Sequence, residues 1–343
     1  MTKTNWKYSL ETEAERVLHC AHQMVTGFYR ANNFHVLPLK HPLASVKTVS
    51  FPDLPYNKIP RFWNIARKTD VLNLPMKTDR KVVNALVSLL EKEKIEKPNY
   101  TNLVKPWEKA EKNVLSEIER IIPGKKGKID SIKIYPTSFG TSSSFNKVTK
   151  YPAKVIMYLR QDQDIYTLTE ALLSAITRDD VFKELKGIWN ESELLVDWLI
   201  TKSSISKVLE RYQPDKKFIP TLTKTRTQQS AKLLKESDRF YKKLGVPITE
   251  KVFKPNGKSP IINGKAAENL TLKETELLNF FIKNQNKVIS FDKLADIIFS
   301  DYDDFSLWAI TKTIERLRNK LEENGVSGSY IQTLRGQGYL LKN

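Results

Sequence analysis

The sequence predicts a mixed α+β chain: an N-terminal helical and α+β part, then a C-terminal domain of three helices and a β-hairpin. Three observations carry this. Apolar residues recur at helical spacing in several stretches of the first 122 residues, and the period shortens to two between Ile129 and Leu159. Beyond Leu270, three amphipathic segments lead into two short β-prone runs, separated by Arg335-Gly336-Gln337-Gly338.

In chain order, Thr12 to Arg30 reads as a helix with Ala14, Val17, Leu18 and Ala21 on one face. His35–Leu43 and Phe51–Pro60 are punctuated by proline and read as surface loops. Asp79 caps a helix running to about Lys94, burying Val82, Val83, Leu86, Leu89 and Leu90. A further helix, Trp107 to Ile122, stops at Pro123-Gly124. Two strands follow, around Ile129–Tyr135 and Ala153–Leu159, flanking the small-residue loop Phe139–Phe145. Helices are expected at Ile165–Ile176, Ser192–Leu199, Ser203–Tyr212 and Gln228–Leu244, with Lys216–Thr227 a linker. The division predicted is 1–100, a helical and proline-rich region; 101–213, an α+β domain; 214–245, a basic linker and helix; and 246–343, the three-helix domain.

Within that last region, Thr271 and Glu274 form a capping signal before an apolar run, and Ser290 caps a short helix, Phe291–Phe299. A longer helix, Phe305 to Glu322, buries Ile310, Ile314, Leu317 and Leu321. Lys312, Arg316, Arg318, Asn319 and Lys320 lie on its other face. Tyr330–Leu334 and Tyr339–Leu341 pair as a hairpin whose tip places Arg335 beside glycines able to take positive φ. Three helices and a hairpin make a winged helix-turn-helix, in which the third helix suits a major groove and the tip arginine a minor groove.

The charge is unevenly spread. The chain carries +18, yet residues 246–343 hold 14 Lys/Arg against 12 Asp/Glu, while residues 201–245 hold 12 against 4. The segment before the winged helix is the basic one, and reads either as a solvated helix face or as a phosphate-attracting arm. No run approaches eighteen apolar residues, so no membrane span is expected. The start, Met1 to Trp6 leading into Glu11, Glu13 and Glu15, lacks the apolar core of a signal peptide, and Cys20 is the one cysteine. A cytoplasmic protein is expected.

The C-terminal segment resembles the OmpR/PhoB-type winged helix of bacterial response regulators. The likeness rests on Leu270-Thr271 with Lys273-Glu274 and Glu276-Leu277-Leu278, on Val288 to Leu294, on Ile314 to Leu321, and on Thr333 to Leu340. It implies double-stranded DNA as partner, read by Thr311, Lys312, Glu315, Arg316 and Arg318, with Arg335 on the wing. The sequence departs from the family at Trp308-Ala309, where Arg-Thr is frequent, and at Glu315, where a basic residue is common. The family's usual receiver domain is not evident upstream, so aspartyl phosphorylation is not expected.

Residues 103–200 resemble, by pattern, a degenerate gluzincin-type zinc metallopeptidase. Such enzymes carry H-E-x-x-H on one helix and a third ligand, a glutamate, on the next. Aligned so, Glu170, Ala171 and Ser174 stand where His, Glu and His are needed, and Glu193 is the one candidate ligand left. The resemblance therefore implies no catalysis and no metal or other cofactor; an unrelated α+β domain is the other reading. His19 and His22, at i and i+3 beside Cys20, read as a metal site or as packed histidines.

Three functions follow: a one-component transcription regulator, a metallopeptidase-related protein with an accessory DNA-binding domain, and a structural or phage-defence nucleic-acid protein. For the first, the N-terminal part would bind a ligand, a peptide or a partner such as RNA polymerase, or would dimerise.

Overall fold

The computed structural model describes residues 3–45, 48–71, 74, 76, 78–187, 189–215, 230–247, 251–256, 259–299 and 306–343. The chain divides into two compact units. One comprises Met1–Cys20, Phe34–Ile65 and Thr69–Gly245; the other comprises Ala21–Asn33, Ala66–Lys68 and Val246–Asn343. This differs from the expected division: residues 1–100 form no unit of their own.

The first elements are β1 (Lys3–Trp6), α1 (Leu10–Val25), α2 (Phe28–Ala31), β2 (Val36–Pro38), β3 (Val49–Phe51), α3 (Phe62–Lys68), α4 (Arg80–Lys92) and α5 (Thr101–Ile121). Then come β4 (Ile129–Thr137), β5 (Ser143–Phe145), β6 (Ala153–Arg160), α6 (Ile165–Asp179), α7 (Trp189–Lys202), α8 (Ser204–Tyr212) and α9 (Ala231–Lys243).

The sheet of the first unit has the order β1-β4-β6-β5. β1, β4 and β6 run parallel, and β5 closes the edge antiparallel to β6. Neither β1 nor β5 was expected. β1 is a four-residue strand of mixed polarity whose partner lies more than 120 residues away, and β5 is three residues of the supposed Phe139–Phe145 loop. The core under this sheet is built from Trp107, Val114 and Ile118 of α5, Ile132 and Ile134 of β4, Val155 and Met157 of β6, and Leu168, Leu172 and Ile176 of α6. α6 is buried almost all round, as a helix enclosed within a core is.

The stretches expected as surface loops are partly core. β2 and β3 pair in parallel, and Leu37, Phe51 and Tyr56 are buried, with Tyr56 stacked on Phe62 at 4.6 Å between ring centroids. Prolines here bound short strands and a 3-10 turn instead of keeping the chain outside. α5 begins six residues earlier than expected, with Pro106 inside it, and Asn99 Oδ1 accepts from the Thr101 N–H at 3.2 Å.

The basic segment is only partly an arm. α8 packs on α5 and α7, with Ile205 and Leu209 buried. α9 buries Phe240 and Tyr241, and the N–H of Val36 donates to Ser237 Oγ at 3.0 Å. The linker expected at Lys216–Thr227 lies outside the described residues. Among the described residues no helix is long and apolar enough to cross a membrane.

The second unit adds β7 (Phe253–Lys254), β8 (Ile261–Ile262), β9 (Lys265–Ala266), α10 (Leu272–Lys283), α11 (Phe291–Ile298), α12 (Leu307–Glu323), β10 (Ile331–Leu334) and β11 (Gly338–Leu341). β7, β8 and β9 form a small antiparallel sheet. Leu277, Phe281, Leu294, Ile298, Ile310, Ile314, Leu317, Leu321 and Tyr339 share one core, and Ala31 joins it. The 21–33 segment is tied in by backbone groups. Ser327 N–H donates to the Thr26 carbonyl at 2.8 Å and Gln332 Nε2 to the Ala31 carbonyl at 2.9 Å.

Candidate nucleic-acid interface

The interface is assembled from three local decisions. Thr271 and Glu274 make a reciprocal capping box that starts α10, and Ser290 Oγ accepts from the Lys293 N–H at the start of α11. Ser306 caps α12 by accepting from the Ala309 N–H at 3.1 Å, so the helix begins at Leu307; Phe305, where it was expected to start, lies outside the described residues.

α12 has one fully buried face, Ile310, Ile314, Leu317 and Leu321. The opposite face is open: Thr311, Lys312, Glu315, Arg316 and Asn319 are exposed. The charges on it are partly compensated. Lys312 Nζ meets Glu315 Oε2 at 2.8 Å, which leaves Arg316 as the cation of that group with no ion pair among the described residues. Thr311 Oγ1 donates to the Leu307 carbonyl at 2.8 Å and accepts from Tyr339 Oη at 3.4 Å, so its hydroxyl is used within the domain.

The wing is the antiparallel pair β10–β11, with Leu334 opposite Gly338 and Ile331 opposite Leu341. Arg335, Gly336 and Gln337 form its exposed tip, closed by Gln337 N–H donating to the Leu334 carbonyl at 2.9 Å. Gly336 at φ 72° and Gly338 at φ 135° supply the backbone that this turn needs. A Cβ on Gly338 would overlap the Ile289 carbonyl oxygen, because Ile289 and Tyr339 pair through N–H···O bonds of 2.7 and 3.0 Å.

Arg318 departs from the expected role. Its guanidinium is turned back into the domain: Nε and Nη2 donate to the Ile331 carbonyl at 3.0 and 2.7 Å, and Nη2 to Thr333 Oγ1 at 2.8 Å. It also lies over the Tyr339 ring at 5.8 Å, and burial pushes its pKa down. Three hydrogen bonds to β10 make it a brace between α12 and the wing, with its guanidinium turned away from the open face. Its spacing on α12 placed it beside Arg316, but the acceptors that capture it come from a strand formed later in the chain.

In the other unit, Glu170, Ala171 and Ser174 are buried on α6, and Glu193 is buried on α7. Glu193 forms an ion pair with Arg178, whose guanidinium sits 4.8 Å from the Phe145 ring centroid. The carboxylate left over as a candidate ligand is therefore held by an arginine. His22 Nδ1 lies 2.9 Å from the Ala66 carbonyl oxygen, and His19 is buried. Among the described residues, no group of three or more His, Cys, Asp or Glu is placed to hold a metal ion.

Comparison with known proteins bears on the C-terminal segment. Residues 265–341 match the family described as "Transcriptional regulatory protein, C terminal". The chain is 39% identical over 67 residues to the uncharacterized transcriptional regulatory protein YvcP of Bacillus subtilis (strain 168), covering 20% of this chain and 28% of that one. It is 37% identical over 73 residues to the transcriptional regulatory protein CusR of Escherichia coli (strain K12), covering 21% and 32%. The chain thus spans about a third or less of the length of these relatives. Among solved structures, the DNA-binding domain of the response regulator AdeR in complex with an intercistronic region is 29% identical. It covers 28% of this chain and 97% of that chain, with a TM-score of 0.24. Residues 265–341 are an OmpR/PhoB-type C-terminal domain of transcriptional regulatory proteins.

Proposed function

We propose that this chain is a sequence-specific, DNA-binding transcription regulator of the one-component type. α12 enters the major groove, Thr311, Lys312, Glu315 and Arg316 face the bases and phosphates, and Arg335 reaches the adjacent minor groove. The observation that carries the reading is the geometry of α12. One side is wholly buried, the other is open, and Arg318 ties the helix to the first strand of the wing. The relatives' descriptions as transcriptional regulatory proteins support the same reading.

The α+β part is, in this proposal, a non-catalytic body that senses a ligand, holds a peptide or partner, or dimerises. Two features support it. Ala171 and Ser174 offer neither imidazole nor a carboxylate to activate water, and Glu193 is committed to Arg178. Selection of bound fragments from a random or genomic duplex pool by the full chain tests the proposal. An enriched motif with log-linear salt dependence is expected, and an unenriched pool overturns it.

A further inference from the structure

The open face of α12 begins with an apolar residue. Trp308 is 69% exposed and Leu307 beside it 55%, in a unit whose other large apolar side chains are mostly buried. At about 100° per residue, Trp308, Glu315 and Asn319 fall within about 20° of one line along the helix. Thr311, Lys312 and Arg316 flank that line, and the buried Ile310, Ile314, Leu317 and Leu321 lie on the far side. The indole therefore stands at the centre of the reading face, within the first turn of the capped N-terminal end of the helix. In helix-turn-helix readers, that end is the part that meets base edges.

Charge at this centre is small, because Lys312 and Glu315 neutralise each other at 2.8 Å. Phosphate attraction does not explain a tryptophan there. An uncharged, flat, apolar surface in a major groove has one apolar counterpart among the four bases, the C5-methyl group of thymine. We infer that Trp308 is a specificity-determining residue that packs on thymine methyl groups, so that the site read by α12 contains A·T pairs opposite the helix N-terminus. This rests on the DNA-reading proposal and deepens it.

The test uses the full chain and the site enriched by selection. Each thymine in that site is replaced in turn by deoxyuridine, which keeps every hydrogen-bonding group and lacks only the methyl. For the wild type, one or two positions are expected to weaken binding roughly three- to fivefold, the size of one buried methyl group. W308A is expected to bind the unmodified site on the order of tenfold more weakly and to be indifferent to the same replacements. Trp308 is exposed, so its removal leaves the core intact. Indifference of the wild type to every replacement overturns the inference, as does an equal penalty in W308A. W308A that keeps the site preference but loses self-association assigns the indole to a protein contact instead, and also overturns it. A wild type that enriches no sequence overturns the DNA-reading proposal itself, which separates the two failures.

Discussion

The guanidinium of Arg318 donates twice to one atom, the carbonyl oxygen of Ile331, at 3.0 and 2.7 Å. α12 and the wing strand β10 are thereby joined through a single charged side chain that also reaches Thr333. Removing it leaves a largely enclosed carbonyl and a hydroxyl without their donor. Arg318→Ala is expected to destabilise the C-terminal unit by about 2 kcal/mol, the cost of losing charge-assisted hydrogen bonds. Arg318→Lys should recover only part, because one ammonium does not reproduce the planar fork. Urea midpoints of the two variants check this, and an unchanged midpoint for the alanine variant would show that the brace is not structural.

Arg316 presents the opposite case. It is exposed on α12 and carries no packing duty in the core, so Arg316→Ala should leave the urea midpoint in place while weakening binding to the selected site by roughly ten- to hundredfold. Arg335→Ala, at the wing tip, should weaken it less, with the change concentrated where flanking A·T tracts narrow the minor groove. Equilibrium binding at matched salt, with flanks varied, separates the two. Equal losses on all flanks for both variants would deny the wing its minor-groove role.

Gly27 precedes α2 at φ 77°, and a Cβ there would run into the ring of Tyr330. Both residues belong to the C-terminal unit, although some 300 positions separate them. Gly27→Ala should lower the stability of that unit by about 1–3 kcal/mol, through left-handed strain and overpacking together. Denaturation followed by a probe in the winged helix should register the drop. An unchanged transition would mean that the 21–33 segment is dispensable to the unit.

Glu13 is buried, and burial pushes its carboxyl up to about 7, against the lowering effects of hydrogen bonds from Thr137 and Ser138 and the nearby Arg16. Ser138 N–H donates to its Oε1 at 2.8 Å, while Oε2 has no hydrogen-bond partner among the described residues. The folded state thus holds the proton more tightly than the unfolded chain. The corresponding stability is full below about pH 4.5 and is lost as pH rises through about 7, amounting to about 3 kcal/mol over that window. Glu13→Gln should therefore stabilise the chain at pH 8 and change it little at pH 5. Urea unfolding at the two pH values decides this, and parallel curves for wild type and variant would remove Glu13 as the titrating group.

The basic segment calls for a finer test than its deletion, because α8 and α9 bury Ile205, Leu209, Phe240 and Tyr241 in the first unit. The sequence between those helices includes the cations Lys216, Lys217, Lys224 and Arg226. Changing all four to glutamine should reduce the slope of log affinity against log salt, by about 0.9 for each phosphate that is no longer neutralised. An unaltered slope would confine phosphate binding to the winged helix.

Much of the candidate interface is legible in sequence because it is locally encoded. The stripe Ile310, Ile314, Leu317, Leu321 sets which side of α12 faces inward, since 3.6-residue periodicity needs no knowledge of the partner. The Thr271–Glu274 capping box and the Arg335–Gly338 turn are likewise short-range hydrogen-bonding and backbone requirements, and the structure contains both. The strands β1, β2, β3 and β5 were not legible. Each is three or four residues long, too short to show an alternation, and β1 becomes a strand only by pairing with β4.

The sequence by itself determined the winged helix, its buried face and the exposed positions of Thr311, Lys312, Glu315, Arg316 and Arg335, because periodicity, caps and glycine turns act within a few residues. Tertiary structure alone decided the rest. It turned the Arg318 guanidinium back onto β10, placed Ala31 in the C-terminal core, and drew Glu193 into an ion pair with Arg178. A long charged side chain takes whichever partner the folded chain brings within hydrogen-bond reach, and no local pattern specifies which that will be.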